Sequence, residues 1–402
     1  MSFRTLRSLN VAGRSVFVRV DFNVPLTPDG AVGDDTRIVA SLPTLRYLIE
    51  KGARLVVASH LGRPKGKRDP KQSLAPVRER LERYLRKSVG FAESIVGPEA
   101  ERLAGRLADG DVLLLENLRF DPREEANDPG FSRELGRLAD AYVNDAFGAA
   151  HRAHASITGI TTFLVDCAAG FLLERELQAL GKLLEAPGRP YTAILGGAKI
   201  SGKIDVLRNL LPRVDRLIVG GGMMFTFLRA KGLETGRSLV EEDKVPLAKE
   251  ILARPEAEQK LILPRDCIVA ADASGRDPGH AVGVDGIPPG LAGVDIGPGS
   301  IEEIVEALSA ARTVFWNGPM GVFEVPAYAR GTLRVAKGVA EATGRGAFTV
   351  VGGGDSLAAI HQAGVEHQIS HCSTGGGASL EFLEGRVLPG VAALEATSEA
   401  AP

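Results

Sequence analysis

Ala347-Phe348-Thr349-Val350-Val351-Gly352-Gly353-Gly354-Asp355-Ser356-Leu357-Ala358-Ala359-Ile360 changes character in the middle. Its first five residues are apolar or β-branched and read as a strand, and its last four read as helix. Between them stand three glycines, an aspartate and a serine. A glycine turn at a strand-to-helix junction lets backbone N–H groups face a ligand, and the helix dipole favours an anion there. Asp355 adds an oxygen ligand suited to magnesium on a phosphate. A single triplet is equally a tight turn between packed elements. This one is repeated: Gly220-Gly221-Gly222 follows Arg216-Leu217-Ile218-Val219, and Gly375-Gly376-Gly377 follows Ile369-Ser370-His371-Cys372. Parallel strands share a carboxyl edge, so three such junctions in one half predict a polyphosphate crevice along it.

The chain has 402 residues, enough for two or three domains at about 150 residues each. Hydrophobic content of 44% and charged content of 24% are ordinary for a soluble globular protein. A formal net charge of −2 gives no general attraction to nucleic acid or to an anionic membrane. Cys167, Cys267 and Cys372 are far apart, with no C-x-x-C, which argues against a disulfide framework or a zinc site. The opening Met1-Ser2-Phe3-Arg4 starts no long apolar segment, and no apolar run approaches membrane-spanning length. A cytoplasmic protein is expected.

In the first half, Ser15–Val20, Arg54–Ala58, Asp111–Leu115 and Ala141–Val143 read as strands. Helices are expected from Thr36, with Asp35 as its cap, over about Ser73–Arg86, and over about Phe131–Leu138. Pro43 is expected to break the first helix into two parts, and Gly52 to stop it. Strands alternating with helices indicate a parallel sheet packed by helices, an α/β fold. Arg19, Arg37, His60, Arg63, Arg119, His151, Arg152 and His154 all lie at strand ends or at a helix start. Either they are unrelated surface cations, or the shared edge gathers them into a basic cup for a small, multiply charged anion. His151 and His154 as metal ligands lack a cysteine or carboxylate at ligand spacing.

Gly170–Glu185 is an amphipathic helical stretch, and Pro187-Gly188-Arg189-Pro190 then breaks the chain. It reads either as a helix joining two halves or as one more core helix. The second half restarts with the strand Tyr191–Leu195, followed by Gly196-Gly197-Ala198-Lys199-Ile200-Ser201-Gly202-Lys203-Ile204. Gly197–Lys203 fits G-x-x-x-x-G-K, but the hydroxyl that a P-loop places next, on magnesium, is replaced by Ile204. Strand, glycines and two lysines still describe a phosphate site. Helices are expected near Met224–Ala230, Val245–Leu252 and Ile301–Ala310, and strands at Leu261–Leu263 and Thr313–Phe315. The last strand leads into Trp316-Asn317-Gly318-Pro319-Met320-Gly321-Val322-Phe323-Glu324, where Asn317 and Glu324 are candidates to hydrogen-bond a nucleoside. No G-x-G-x-x-G is present, which counts against a dinucleotide site. The tail, Glu395–Pro402, is expected to fray.

Arg19–Pro25, Ser59–Pro64, Glu116–Phe120, Asn144–His154, Gly196–Lys203, Trp316–Glu324, Gly352–Ser356 and Ser373–Gly390 closely resemble the phosphoglycerate kinase family, in order and over nearly the whole chain. The resemblance implies two doubly wound parallel-sheet (Rossmann-like) domains joined by a long helix. It places an N-terminal 3-phosphoglycerate domain at residues 1–169, the interdomain helix at 170–187 and a nucleotide domain at 188–385. The tail, 386–402, returns to the first domain. The implied activity is glycolytic: reversible phosphoryl transfer from 1,3-bisphosphoglycerate to ADP, giving 3-phosphoglycerate and ATP. The implied cofactor is Mg²⁺ carried on the nucleotide, and a monomer without nucleic-acid or membrane partners is expected.

Carried over by motif, Asp21 and Asn23 bind the glycerate end of the substrate. Arg37, His60, Arg63, Arg119 and Arg152 form the basic cup, with Arg37 nearest the transferring group. Lys199 and Lys203 neutralise phosphate charge, and Gly376 and Gly377 present a helix start to the transferred group. Gly197, Ala198, Gly221, Asn317 and Glu324 line the nucleotide site, with Glu324 at the ribose. Gly352, Gly353, Gly354 and Ser356 hold phosphates, with Asp355 on magnesium. Three positions depart from the family's pattern without touching these residues: Gly202 for a larger polar residue, Ala149 for a frequent threonine and Arg386 for a frequent lysine. Two sites on two domains imply closure about the linking helix. Two readings from other classes are a P-loop ATPase, opposed by Ile204, and an RNA-binding protein using the basic loop Arg63–Lys71.

Overall fold

The computed structural model describes residues 3–399, with side chains up to Glu395. Six short runs, β1 (Ser15–Val20), β2 (Arg54–Ala58), β3 (Gly90–Ala92), β4 (Val112–Leu115), β5 (Ala141–Asp145) and β6 (Cys167–Ala169), form one sheet. Every pairing in it is parallel, in the order β3-β4-β2-β1-β5-β6. Val16–Val20 and Val112–Leu115 are buried without interruption, as a sheet covered on both faces requires. The helix Thr36–Glu50 lays Ile38, Leu42, Leu45 and Leu48 on the core formed by β1 and β2.

The second sheet is built from β7 (Tyr191–Leu195), β8 (Arg216–Val219), β9 (Leu261–Ile262), β13 (Thr313–Asn317), β14 (Phe348–Gly352) and β15 (His371–Ser373). It too is wholly parallel, in the order β15-β14-β13-β7-β8-β9. Numbered within the half, this is the 3-2-1-4-5-6 order of doubly wound nucleotide-binding sheets. The order reverses between β7 and β13 here, and between β1 and β5 in the first sheet. At each reversal the connections leave in opposite directions and open a crevice at the carboxyl ends. Trp316 is fully buried in this half's core with Ile194, Ile218, Val314 and Val351, and its indole N–H donates to the Gly318 carbonyl at 2.8 Å.

Three further strands, β10 (Asp266–Ala270), β11 (His280–Gly283) and β12 (Ala292–Ile296), make a small antiparallel sheet in the order β11-β10-β12. Sequence pattern missed β10 and β11, while Asp295-Ile296-Gly297-Pro298 reads as a strand-end turn and closes β12. β11 is largely exposed, so no alternation marks it, and a bulge between Ile268 and Val269 interrupts β10.

Contacts divide the chain into two units, Met1–Gln178 with Val387–Pro402, and Ala179–Arg386. The division falls inside the helix Phe171–Glu185. In the first unit the Gly390 amide donates to the Ala150 carbonyl at 2.8 Å, which ties the C-terminal helix Pro389–Glu399 to the loop after β5.

Two expectations are corrected. The first helix runs through Pro43 unbroken. The carbonyl deprived of its partner belongs to Val39, 42% exposed, where water can replace the bond, while core contacts on both sides of Pro43 hold the axis. Nor does the tail fray at Glu395: Leu388, Val391 and Leu394 are buried and anchor a helix that continues to Glu399. The remainder of that stretch, Ala400–Pro402, lies outside the described residues.

Asp145, at the end of β5, accepts from the Leu172 amide at 2.8 Å and caps the helix Phe171–Glu185. Burial pushes its carboxyl up to about 7, against the pull of hydrogen bonds from Thr44 and from the Leu172 and Leu173 amides. The folded chain therefore keeps this proton up to about pH 7, whereas an unfolded aspartate releases it near ~4. The native state binds more protons across that window, so this group's contribution to stability falls as pH rises through it. Asp145→Asn removes the titration. Urea unfolding should show the variant gaining on the wild type by on the order of 1–3 kcal/mol between pH 4 and pH 8. A difference independent of pH would refute the assignment.

Candidate active site

In the first unit, β1 delivers Asp21-Phe22-Asn23 to the carboxyl edge. The Ser59 hydroxyl accepts from the Phe22 amide at 2.8 Å, and the Asn23 side-chain Oδ1 accepts from the Gly62 amide at 2.8 Å. Asn117, after β4, accepts from the Leu61 amide at 3.1 Å, and Arg119 donates to the Gly62 carbonyl at 2.8 Å. The loops after β1, β2 and β4 are thus one hydrogen-bonded body. Arg37, in the first turn of its helix, forms a close ion pair with Asp21. Burial acts to raise the Asp21 carboxyl, but Arg37, Arg19 and the Asn23 amide at 3.2 Å hold it below its usual value.

Not all eight predicted cations belong to a charged cup. Arg19 is fully buried beneath it. Its Nε donates to the Ser156 hydroxyl at 2.8 Å, and Ser156 in turn donates from its hydroxyl and amide to Glu124 at 2.6 and 2.9 Å. Glu124, buried, thereby balances Arg19 through one serine. Another Arg19 N–H lies 3.2 Å from His60 Nδ1, which must then accept, so the His60 proton sits on Nε2. Burial, with the adjacent Arg19 and Arg119, drives the His60 imidazole well below its ordinary range. Burial and the surrounding arginines likewise bring His154 down to about 3. Both histidines are neutral near pH 7, which corrects their reading as cations. Arg63 is exposed and Arg152 half-buried, and among the described residues neither guanidinium has a hydrogen bond or ion pair. Arg37, Arg63, Arg119 and Arg152 carry the positive charge of this edge.

In the second unit the glycine loops after β7, β8 and β13 bond to one another. The Gly196 amide donates to the Asn317 carbonyl at 2.9 Å, Gly197 to Pro319 at 2.7 Å, and Gly221 to Met320 at 3.2 Å. Gly221 has φ +63°, and a Cβ there would lie 2.6 Å from the Gly197 nitrogen, so no other residue fits. Lys203 reaches across the reversal: its amine donates to the carbonyls of Gly196 at 2.7 Å and Asn317 at 2.9 Å, the ends of β7 and β13. Desolvation lowers this amine to about 8, with Asp355 pulling the other way.

A cavity of about 290 Å³ opens beside these loops, lined by Gly197, Ala198, Gly221, Glu324 and Asp355 among the predicted residues. Asn317 and Ser356 do not line it. The Asn317 amide donates to the Gly352 carbonyl at 2.8 Å, and the Ser356 hydroxyl accepts from the Gly318 amide at 2.6 Å. Both tie the loop after β13 to the triplet after β14. Gly352 closes β14, and Gly353 and Gly354 lead into the helix Gly354–Gln362. Gly376 and Gly377 start the short helix Gly377–Leu383 after β15. Lys199 and Asp355 are exposed. Of the three departures, Gly202 has open space around it, Ala149 is buried, and Arg386 pairs with Asp205 at 3.2 Å and Glu384 at 2.8 Å.

Sequence reasoning missed the cavity's apolar wall, Met224, Phe225 and Leu239, and the buried Asp295. The available signal was the helix Met223–Ala230, apolar on nearly every face directly after a glycine triplet. Asp295 reads only as part of a strand-end turn, with nothing in the pattern to place its carboxyl at the cavity. Among the described residues no three His, Cys, Asp or Glu side chains gather to hold a metal. The arrangement suits a magnesium ion that takes one carboxylate, Asp355, and the rest of its ligands from phosphates and water.

The family model described as phosphoglycerate kinase matches residues 6–386. This chain belongs to the phosphoglycerate kinase family. The phosphoglycerate kinase of Chloroflexus aurantiacus is 55% identical over 398 residues, covering 98% of this chain and 99% of its own. That of Chlorobium luteolum is 54% identical over 395 residues, 98% of this chain and all of its own. The phosphoglycerate kinase structure from Coxiella burnetii superposes with a TM-score of 0.88 at 39% identity, covering 98% of this chain and 99% of that one. The structure from Pyrococcus horikoshii gives 0.87 at 35% identity over the whole of both chains. The chain is a phosphotransferase of this family.

A lysine held near 8 without ligand regains its proton when a polyphosphate approaches. ATP binding at pH 8.5 should therefore take up protons, seen as a dependence of calorimetric heat on buffer ionisation. Affinity should fall as pH rises through about 8. Lys203→Met should abolish both effects, and proton uptake persisting in that variant would assign it to another group.

Proposed function

We propose that this chain works as a monomer in the cytoplasm and transfers a phosphoryl group reversibly between 1,3-bisphosphoglycerate and Mg-ADP. The observation that carries the reading is a division of charge between two strand-end crevices. One has arginines, two of them without protein partners, over a neutral histidine. The other has glycine loops, a lysine bridging two strand ends, and a single exposed carboxylate.

Asp21 and Asn23 orient the glycerate hydroxyl and carboxylate, while Arg63, Arg119 and Arg152 hold its distant phosphate. Arg37 leaves Asp21 to meet the transferring group, where charge spreads over equatorial oxygens. The acyl oxygen that attacks ATP in the reverse direction is a carboxylate already ionised near pH 7, so no general base is needed. This fits a site whose two buried histidines are neutral and have no nucleophile to activate. Lys203 and Lys199, with the amides of Gly376 and Gly377, stabilise the charge on the β- and γ-phosphates. Bound magnesium supplies further neutralisation of the same oxygens. Glu324 accepts from the ribose, and Met224, Phe225 and Leu239 pack on the base. Because each ligand is held by its own unit, transfer requires closure, and closure excludes water. Small-angle scattering should record compaction only with both ligands present.

A coupled assay of ATP-dependent phosphorylation of 3-phosphoglycerate tests the activity. Arg37→Ala should lose roughly 10³-fold in kcat, by analogy with arginines that stabilise phosphoryl transfer elsewhere. Asp355→Asn should raise the magnesium concentration needed for half-maximal rate. Wild-type turnover in the first variant, or an unaltered magnesium titration in the second, removes that residue from the mechanism.

A further inference from the structure

Away from both strand-end crevices, the helices Pro298–Ser309 and Arg330–Gly344 pack together in the second unit. They close tightly towards their carboxyl ends, where a Cβ on Gly338 would lie 2.9 Å from Leu308 Cδ1. Towards their amino ends they part and leave a groove of about 410 Å³. Small-molecule sites commonly enclose about 300–1,000 Å³. Its floor is apolar: Pro298, Ile301 and Leu333. Its rim is cationic, with Arg330, Arg334 and Lys337 at positions i, i+4 and i+7 on one face of a single helix. Arg334 pairs with Glu341 at 3.1 Å. Arg330 and Lys337 are exposed and, among the described residues, have no ion-pair partner within 4.0 Å. The groove's one carboxylate, Glu302 on the facing helix, pairs with neither.

We propose that this groove binds a small amphipathic anion, a carboxylate carrying an alkyl chain. The chain lies on Pro298, Ile301 and Leu333, and the carboxylate sits between Arg330 and Lys337. Charge alone would accept any anion, and an apolar floor alone any hydrocarbon; a cationic rim over an apolar floor selects a molecule with both. The site is separate from the nucleotide cavity and does not depend on the phosphoryl-transfer reading.

The test titrates the full-length, isotope-labelled chain with decanoate, below its micelle-forming concentration and with saturating Mg-ATP to fill the nucleotide cavity. Saturable shifts are expected at the amides of Ile301, Glu302 and Leu333–Lys337. Affinity should rise from hexanoate to decanoate by roughly threefold to fourfold per buried methylene, and acetate should not bind. The double variant Arg330→Glu, Lys337→Glu changes exposed side chains with no ion-pair partner within 4.0 Å and should weaken decanoate about tenfold or more. Failure to saturate, equal affinity in the double variant, displacement by ATP, or equally tight binding of decyltrimethylammonium would each overturn the proposal.

Discussion

A parallel sheet puts the last carbonyl of every strand on one edge, and at a reversal of strand order no connection covers that edge. Lys203 turns this constraint into a site. Its amine joins the carbonyls of Gly196, just after β7, and Asn317, the last residue of β13, at 2.7 and 2.9 Å, which fixes a positive charge at the reversal. The glycine loops on either side can approach as closely as they do because they present amides and carbonyls to each other. Asn317 and Ser356 extend the same bracing to the loop after β14. The bracing of these loops follows from sheet topology first and from particular side chains second.

The first unit solves a different problem. Its arginines stand close together at one strand edge, where their charges repel. Repulsion is reduced in three ways: Asp21 pairs with Arg37, Glu124 balances the buried Arg19 through Ser156, and His60 and His154 stay neutral. What remains for a ligand is the charge without a protein partner, on Arg63 and Arg152. Burying Arg19 and Glu124 together contributes little net stability, because desolvation opposes the Coulombic gain. Here it sets the orientation and protonation of the groups above it.

Most of this framework was legible in the chain. Ser15–Val20, Arg54–Ala58 and Tyr191–Leu195 stand out as apolar runs and are strands with those bounds. The glycine triplets mark strand-to-helix junctions at β8, β14 and β15. Pattern failed where burial and periodicity part company. The strands of the small antiparallel sheet are too exposed, or too interrupted, to alternate. Pro43 obeys local rules in isolation but is overruled by the core contacts around it. Residue type also misled at the site: His60 and His154 look like cations until burial is known. Glycine loops can be read from sequence because glycine is dictated locally. The apolar wall of the cavity arises from segments brought together only by folding.

The only tryptophan in the chain is Trp316. It is sealed in the core of one unit, and its indole N–H holds the carbonyl of Gly318, whose own amide is held by Ser356. The molecule thus carries a built-in optical probe at the root of one loop. Indole emission is sensitive to local polarity and hydrogen bonding, so its colour reports the state of that loop. The other unit, which has no indole, is silent at the same wavelength.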